Sequence, residues 1–365
     1  MRILQVSSAS SFGGGERYLV DLANSLAARG HELYAALRPN SPLVSQLRLP
    51  PDRVKSLPLR NAIDAPSAQA LASLVKKHEI DVVHAHMARD YSLAAYAARR
   101  NPKSQLIVTR HVLFPLNRFH RRTLSQAKYV IAVSAAVGRQ LESQELVPAE
   151  RIAVIPNGID VARFDRALST LDRRALLTSL RLPIDSLLVG SFGELRTLKR
   201  HDDFIRVAAS LVGEFPRARF VVAGVDTSPS KEVRTQLEKL IADLKLNGRV
   251  RLLGWLDNAA ELICSLDIFV SASETESFGL AIGEAMAAGK AVVSTSTEGA
   301  CELIADGSNG LIVPIGDVER MSKAVASLLS DEERRRELGA RGRETIDQRF
   351  SLQRMVDEVE KLYAE

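Results

Sequence analysis

The chain has 365 residues, 46% hydrophobic and 25% charged, with a formal net charge of +5 at pH 7 and only two cysteines. These values exclude a disordered, collagen-like or disulfide-stapled chain, and no window nears the ~20 apolar residues of a transmembrane helix. The length exceeds the roughly 100–200 residues of a single core, so two domains are expected.

From the start, short apolar runs alternate with segments of helical period. "RILQV" precedes a helix over 16–28; "ELYAAL" and "DVVHAH" follow, then a helix over 90–100, "QLIVTR", "YVIAVS" and a further helical stretch. That alternation is the mark of βα units on a parallel sheet. It lapses over residues 160–185 and restarts at "SLLVGSFG". Next come "ARFVVAG", the helical "KEVRTQLEKLIADLKL", "RVRLLG", "LDIFVSAS", a helix through Ala288, "AVVST" and "GLIVP". The expected architecture is α/β, with two Rossmann-like domains over 1–168 and 169–365. The charged helical tail from Val318 onward could pack on either.

Charge divides unevenly between the halves: residues 1–168 hold 23 Lys+Arg against 13 Asp+Glu, and the remainder 26 against 31. A basic front half suits an anionic partner, such as a lipid surface or a phosphorylated acceptor, although a solvated basic face fits the numbers equally. No nucleic acid partner is expected. Cys264 and Cys301 stand far apart with no CxxC or Cys/His cluster, so neither a disulfide nor a zinc site is suggested, and a reducing compartment fits. The first residues, "MRILQVSSAS", have too short an apolar run for a signal peptide, so a cytoplasmic protein is expected.

Ligands of such sheets bind outside the carboxyl ends of the strands, and five stretches there carry chemistry. In "SSFGGGERYLV" the first strand runs through Gly13, Gly14 and Gly15 to a helix start, where unpaired amides and a positive dipole end favour an anion. "VTRHVLFPLNRFHRR" places His111 at a strand end, as a base, a donor or a satisfied polar residue. Its Arg118, Arg121 and Arg122, interleaved with Phe114 and Phe119, suit an anionic membrane surface or an exposed helix face. His84 and His86 in "HAH" have no third ligand nearby, which favours a strand-end polar cluster over a metal pair. "VGSFGELRTLKRHDDF" sets Arg196, Lys199 and Arg200 in a loop before a helix, where cations suit a leaving diphosphate.

The last, "SETESFGLAIGEAMAAG", holds Glu276 and Glu284 eight residues apart around a helix start expected near Phe278. At ~100° per residue, eight positions add about 80° to two turns, so both carboxylates can lie toward one side at different depths. They could then accept hydrogen bonds from two sets of hydroxyls, while the amides of Phe278, Gly279 and Leu280 face an anion. A capped helix with an exposed acid remains the alternative.

Taken in order, "GGGER" (13–17), "TRH" (109–111), "IPNGID" (155–160) and "ESFGLAIGEAMAAG" (276–289) resemble the retaining GT-B glycosyltransferases of family 4, over nearly the whole chain. The resemblance implies two Rossmann-like domains facing each other across a cleft, the first binding acceptor and the second nucleotide-sugar. It implies His111, Lys199 and Glu276 as catalytic residues: Lys199 on the diphosphate, Glu276 on hydroxyls of the transferred sugar, and His111 on that sugar. Gly14 and Gly15 would approach the diphosphate, Glu284 would bind the ribose, the backbone of Phe278, Gly279 and Leu280 would hold sugar and phosphate, and Leu256 in "LLGWLD" would sit near the base. An oxocarbenium-like transition state and attack from the face the leaving group vacates follow, with no metal and no cofactor beyond the donor itself. A cell-envelope, lipid-linked or saccharide acceptor would be met at the inner face of the plasma membrane.

Three positions depart from the family pattern. Glu194 stands where the family carries Arg, with Arg196 two residues on as a substitute; Ser277 replaces Gly, and Ala291 replaces Pro. A nucleotide-sugar 2-epimerase, which shares the two domains but not the "FGLxxxEAMA" arrangement, and a donor-binding protein with a degenerate site are the alternatives.

Overall fold

The structure, a computed structural model, describes every residue except Pro229 and Asp257. The chain divides into two compact units, Met1–Gly158 together with Leu352–Glu365, and Ile159–Ser351. The following elements are those of the described residues.

In the first unit the strands are β1 (Arg2–Ser7), β2 (Glu32–Leu37), β3 (Val54–Ser56), β4 (Val82–Ala85), β5 (Gln105–Arg110), β6 (Tyr129–Ala132) and β7 (Ile152–Val154). They lie parallel in the order β3-β2-β1-β4-β5-β6-β7. In the second unit β8 (Leu187–Phe192), β9 (Ala218–Ala223), β10 (Val250–Gly254), β11 (Ile268–Ser271), β12 (Ala291–Thr295) and β13 (Leu311–Val313) take the order β10-β9-β8-β11-β12-β13, again parallel. Inner strands such as "VVHA" and "IFVS" are buried along their whole length, as helices on both faces of a parallel sheet require. Each sheet reverses its strand order once, between β1 and β4 and between β8 and β11. Loops leaving the carboxyl ends there run to opposite sides and open a crevice between them.

The helices of the first unit are α1 (Gly14–Ala28), α2 (Ala65–Lys77), α3 (Tyr91–Arg99), α4 (His120–Leu124) and α5 (Ala135–Ser143). The second unit holds α6 (Val161–Thr170), α7 (Arg173–Ser179), α8 (His201–Leu211), α9 (Glu232–Asp243), α10 (Ala259–Ser265), α11 (Leu280–Ala287), α12 (Glu298–Leu303), α13 (Val318–Ser330) and α14 (Glu332–Arg349); α15 (Leu352–Ala364) closes the chain. Residues 160–185, which break the sequence rhythm, are largely helical. Asp160 and Asp172 cap α6 and α7 by accepting from the amides of Arg163 and Ala175. Because α6 packs on α10 and α11, residues 159–168, expected in the first domain, belong to the second unit.

The tail helix α15 belongs to the first unit. Met355, Val356, Val359, Leu362 and Tyr363 recur at the spacing of one helical stripe and are buried in that unit's core. Arg29 adds an ion pair to Asp357 at 2.6 Å, and His31 Nε2 lies 2.6 Å from Glu360. Among the described residues no helix is long and apolar enough to cross a membrane.

Candidate functional site

In the second unit two loops flank the reversal point. One leaves β8 through a single 3-10 turn, Thr197–Lys199, into α8; the other leaves β11 for α11. The amide of Glu274 donates to the Leu198 carbonyl at 2.8 Å and ties them together. Lys199 Nζ lies 2.6 Å from Glu276 Oε1, and Ser273 Oγ donates to the same oxygen at 2.7 Å. Both charged side chains keep some solvent access, 26% for Lys199 and 14% for Glu276. Glu276 Oε2 has no protein partner among the described residues.

The backbone beneath this pair is fixed from behind. Thr295 Oγ1 donates to the Ser273 carbonyl at 2.6 Å, and the Gly299 amide donates to the Glu276 carbonyl at 3.0 Å. A Cβ at position 299 would stand 2.7 Å from the Glu276 carbonyl oxygen and from Phe278 Cα, so only glycine lets α12 approach so closely. The Phe278 ring is buried edge-on against Phe350, 5.7 Å between centroids.

That buried ring explains a difference from the sequence reading. α11 begins at Leu280 rather than near Phe278, with Gly279 as its cap in the left-handed region at φ 91°. Phe278 serves as a core plug, and the chain turns at Gly279. The first amide to bond back into the helix is that of Gly283, to the Gly279 carbonyl at 3.0 Å. The preceding first-turn amides form the positive end of the helix.

Glu284 pairs with Arg163 on α6 at 3.3 Å and is 20% exposed. Arg196 is 58% exposed and lies 3.5 Å from Glu194, which also accepts from Thr227. The cation expected to compensate for Glu194 is therefore engaged by Glu194 itself. Leu256 follows β10 and is half-buried against the core. His201, buried at the start of α8, is pushed down to about 4 by burial and then by the Lys199 charge. Among the described residues no cluster of three or more His, Cys, Asp or Glu is placed to hold a metal ion.

In the first unit α1 starts two residues earlier than the sequence suggests, at Gly14. The Glu16 carboxylate accepts from the Gly13 amide at 2.9 Å and so supports the first turn. Gly14 and Gly15 are thus the first helical residues. A Cβ on Gly15 would lie 3.3 Å from His111 Cγ, so the glycine and the imidazole are in direct contact across the ends of β1 and β5. Tyr18 packs edge-on against His111, 4.9 Å between centroids.

Behind His111 lies a chain of neutral imidazoles. His86 Nε2 is 2.7 Å from Gln5 Oε1; an amide oxygen only accepts, so Nε2 carries the hydrogen and His86 Nδ1 the lone pair. That lone pair faces His111 Nε2 at 3.4 Å, which makes Nε2 the protonated nitrogen of His111. His111 Nδ1 is buried with no partner among the described residues. His84 lies between the Tyr363 hydroxyl at 2.5 Å on Nδ1 and Thr109 Oγ1 at 2.6 Å on Nε2, linking α15 to the sheet. Burial pushes His84 and His111 down to about 3, assisted by the His111 and Arg110 charges respectively, and His86 falls well below its ordinary value for the same reason. His84 and His86 thus form the strand-end polar cluster that the sequence favoured.

The structure therefore brings Lys199 and Glu276 together in one unit, and Gly14, Gly15 and His111 in the other. Ser273, Gly299, Arg163, Gln5 and Tyr18 support them and went unremarked in the sequence. Their partners are distant in the chain: Lys199 and Glu276 are separated by 77 positions, Gln5 and His86 by 81. Only the run of serines before Glu276 offered a local hint.

Residues 12–163 match the Glycosyltransferase Family 4 family and residues 172–345 the Glycosyl transferases group 1 family. The chain is 30% identical over 311 residues to N-acetyl-alpha-D-glucosaminyl L-malate synthase of Bacillus anthracis, covering 82% of this chain and 78% of that one. It is 29% identical to the lipopolysaccharide core biosynthesis glycosyltransferase LpsE of Rhizobium meliloti over 96% of both chains. Among solved structures, HepE of Anabaena in complex with UDP superposes with a TM-score of 0.85 at 22% identity over 100% of each chain. A glycosyltransferase of Rickettsia africae gives 0.86 at 24% identity, over 99% of this chain and 97% of that one. At such identities the likeness is one of fold, GT-B with its two parallel-sheet α/β domains.

Proposed function

The chain belongs to the glycosyl transferases group 1 and is a glycosyltransferase, and on that premise we propose that it moves a sugar from a nucleoside-diphosphate sugar to a cell-envelope, lipid-linked or polysaccharide acceptor with retention of configuration. One observation carries the reading. A lysine, a carboxylate with one free oxygen and the positive end of α11 converge at the reversal point of the second sheet.

Negative charge that develops on the leaving diphosphate meets Lys199 and the first-turn amides of α11, fixed before the reaction begins. In this reading that charge needs no metal, and Arg196, matched by Glu194, adds little to it. Glu276 accepts from hydroxyls of the transferred sugar through Oε2, Glu284 from the ribose, and Leu256 lines the base. The backbone of Phe278, Gly279 and Leu280 holds sugar and phosphate. As the bond to phosphate breaks, positive charge grows on the anomeric carbon, and the acceptor hydroxyl attacks from the face the diphosphate is leaving, giving its proton to a departing phosphate oxygen.

Two further features support the acceptor and its place. LpsE acts in lipopolysaccharide core biosynthesis, which favours an envelope acceptor. Phe114 and Phe119 are 56% and 89% exposed beside the exposed Arg118, Arg121 and Arg122, a composition that suits the anionic inner face of the plasma membrane and a cytoplasmic protein resting on it.

Thermal unfolding with UDP-, GDP- and ADP-sugars tests the reading. A ligand at a hundredfold its Kd adds about 2.7 kcal/mol of stability. The sugar first released from the stabilising donor, followed by proton NMR, should keep the donor's anomeric configuration. Release of the opposite anomer would refute retention, and no stabilisation or turnover with any donor would refute the function.

A further inference from the structure

Lys199 and Glu276, assigned above to adjoining parts of the same donor, form an ion pair with each other at 2.6 Å. A diphosphate arriving alone therefore meets an ammonium already matched by a carboxylate, and sits beside that carboxylate. We infer that the Lys199–Glu276 ion pair competes with the diphosphate for the lysine, and so makes the site favour an intact nucleotide-sugar over the nucleoside diphosphate left after transfer. The inference rests on the donor-binding reading of this site.

The geometry explains why the sugar matters. Glu276 Oε1 is occupied by Lys199 and Ser273 Oγ, and its carboxylate is mostly withdrawn from solvent. Taking the lysine away leaves that partly buried carboxylate with Ser273 Oγ and limited solvent as donors, a less favourable but tolerated state for a charged group. The hydroxyls of a donor sugar replace the missing hydrogen bonds, first at the free Oε2, and release Lys199 to the phosphates. Once the sugar has moved to the acceptor, those hydroxyls are gone and the lysine returns to Glu276. Ser273 and Gly299 hold the carboxylate in place throughout, through its side chain and its main chain. The lysine is thus bound least firmly to phosphate at the step where product must leave.

A site whose competent state is populated only in part binds with an affinity reduced by that fraction. Removing the competitor should therefore tighten binding of the product. The experiment measures Kd for UDP, GDP and ADP, and for the matching nucleotide-sugar, by calorimetry on the full chain and on Glu276→Gln, Lys199→Ala and the double variant. Glu276→Gln should bind the cognate nucleoside diphosphate about tenfold more tightly, lose most of its preference for the sugar-bearing donor, and show no such gain when Lys199 is also replaced.

Glu276→Asp, too short to keep the bond while retaining the charge, should show a smaller gain and serves if Glu276→Gln does not fold. Unchanged or weaker nucleoside diphosphate binding in both Glu276 variants would overturn the inference. So would a gain that persists in the Lys199→Ala background, because loss of a nearby negative charge would then suffice. Weakened binding in Lys199→Ala with either of those results leaves the donor site standing and removes only the competition. Binding of no nucleotide by any of the proteins would remove both.

Discussion

The two reversal points occupy the same place in nearly the same strand order and are built from opposite chemistry. In the first unit, Gly15, Tyr18 and His111 stand before a chain of neutral imidazoles in which His111 donates to His86 and His86 donates to Gln5. In the second, Lys199 and Glu276 bring full charges within hydrogen-bonding distance of each other, just ahead of the start of α11. Burial is the main difference between them. It strips the proton from each histidine of the first cluster, whereas the ammonium and carboxylate of the second keep solvent access and satisfy each other. Topology fixes where a ligand can sit, and the depth of the side chains decides whether it meets dipoles or charges.

The sharpest way to break that contrast is to remove the charge. Lys199→Ala should lower kcat/KM with the cognate donor by about 10²–10³-fold, the range for deleting a preorganised electrostatic contact in an active site. Its stability should fall little, by about 1 kcal/mol, because Glu276 keeps Ser273 and partial solvent access. Steady-state rates alongside urea denaturation measure both. Turnover within threefold of the parent would show that the charged pole is not where the diphosphate departs.

A second test acidifies the protein. His84 and His111 titrate near 3 when folded but near 6.5 when unfolded, and His86 is lowered in the same direction, so the unfolded chain binds more protons throughout that interval. Their stabilisation is complete above about pH 6.5 and is lost progressively as pH falls toward 3. Asp90, raised to about 6 by burial, works the other way in the same unit and offsets part of the loss. The second unit has His201, lowered to about 4. Hydrogen exchange followed by mass spectrometry between pH 7 and pH 4.5, corrected for intrinsic rates, should show β4 and β5 losing protection before β11 and β12. The reverse order would mean that the imidazole cluster is not the acid-sensitive element.

Much of this was legible in the sequence, for identifiable reasons. Inner strands of a parallel sheet are apolar on both faces, so "VVHA" and "IFVS" stand out as runs without needing a period. The three-residue strands β3 and β7 are half exposed and too short to stand out, and α6 and α7 bury so few apolar residues that they read as a gap. Glu276 and Lys199 were visible because charged residues at strand ends are conspicuous. Their bond to each other was not, since it joins two loops through the sheet. Position 299 shows the limit plainly: its glycine matters because two backbones meet there, and a glycine in a row of residues does not disclose what lies across from it.

The smallest expected effect concerns Arg196, and it tests how far the charged pole extends. The sequence offered this residue as the replacement for the family arginine at position 194. In the fold it is 58% exposed and leans on Glu194 at 3.5 Å, so its charge is largely screened or already matched. Arg196→Ala should therefore change kcat/KM by less than about threefold, equivalent to roughly 0.6 kcal/mol. Glu194→Gln, which frees Arg196 and removes a negative charge near the loop, should raise it by a similar factor, and the gain should vanish in the double variant. A loss of tenfold or more in Arg196→Ala would mean that Arg196 leaves Glu194 when the donor binds, and that the positive pole is built from two side chains rather than from Lys199 and a helix end.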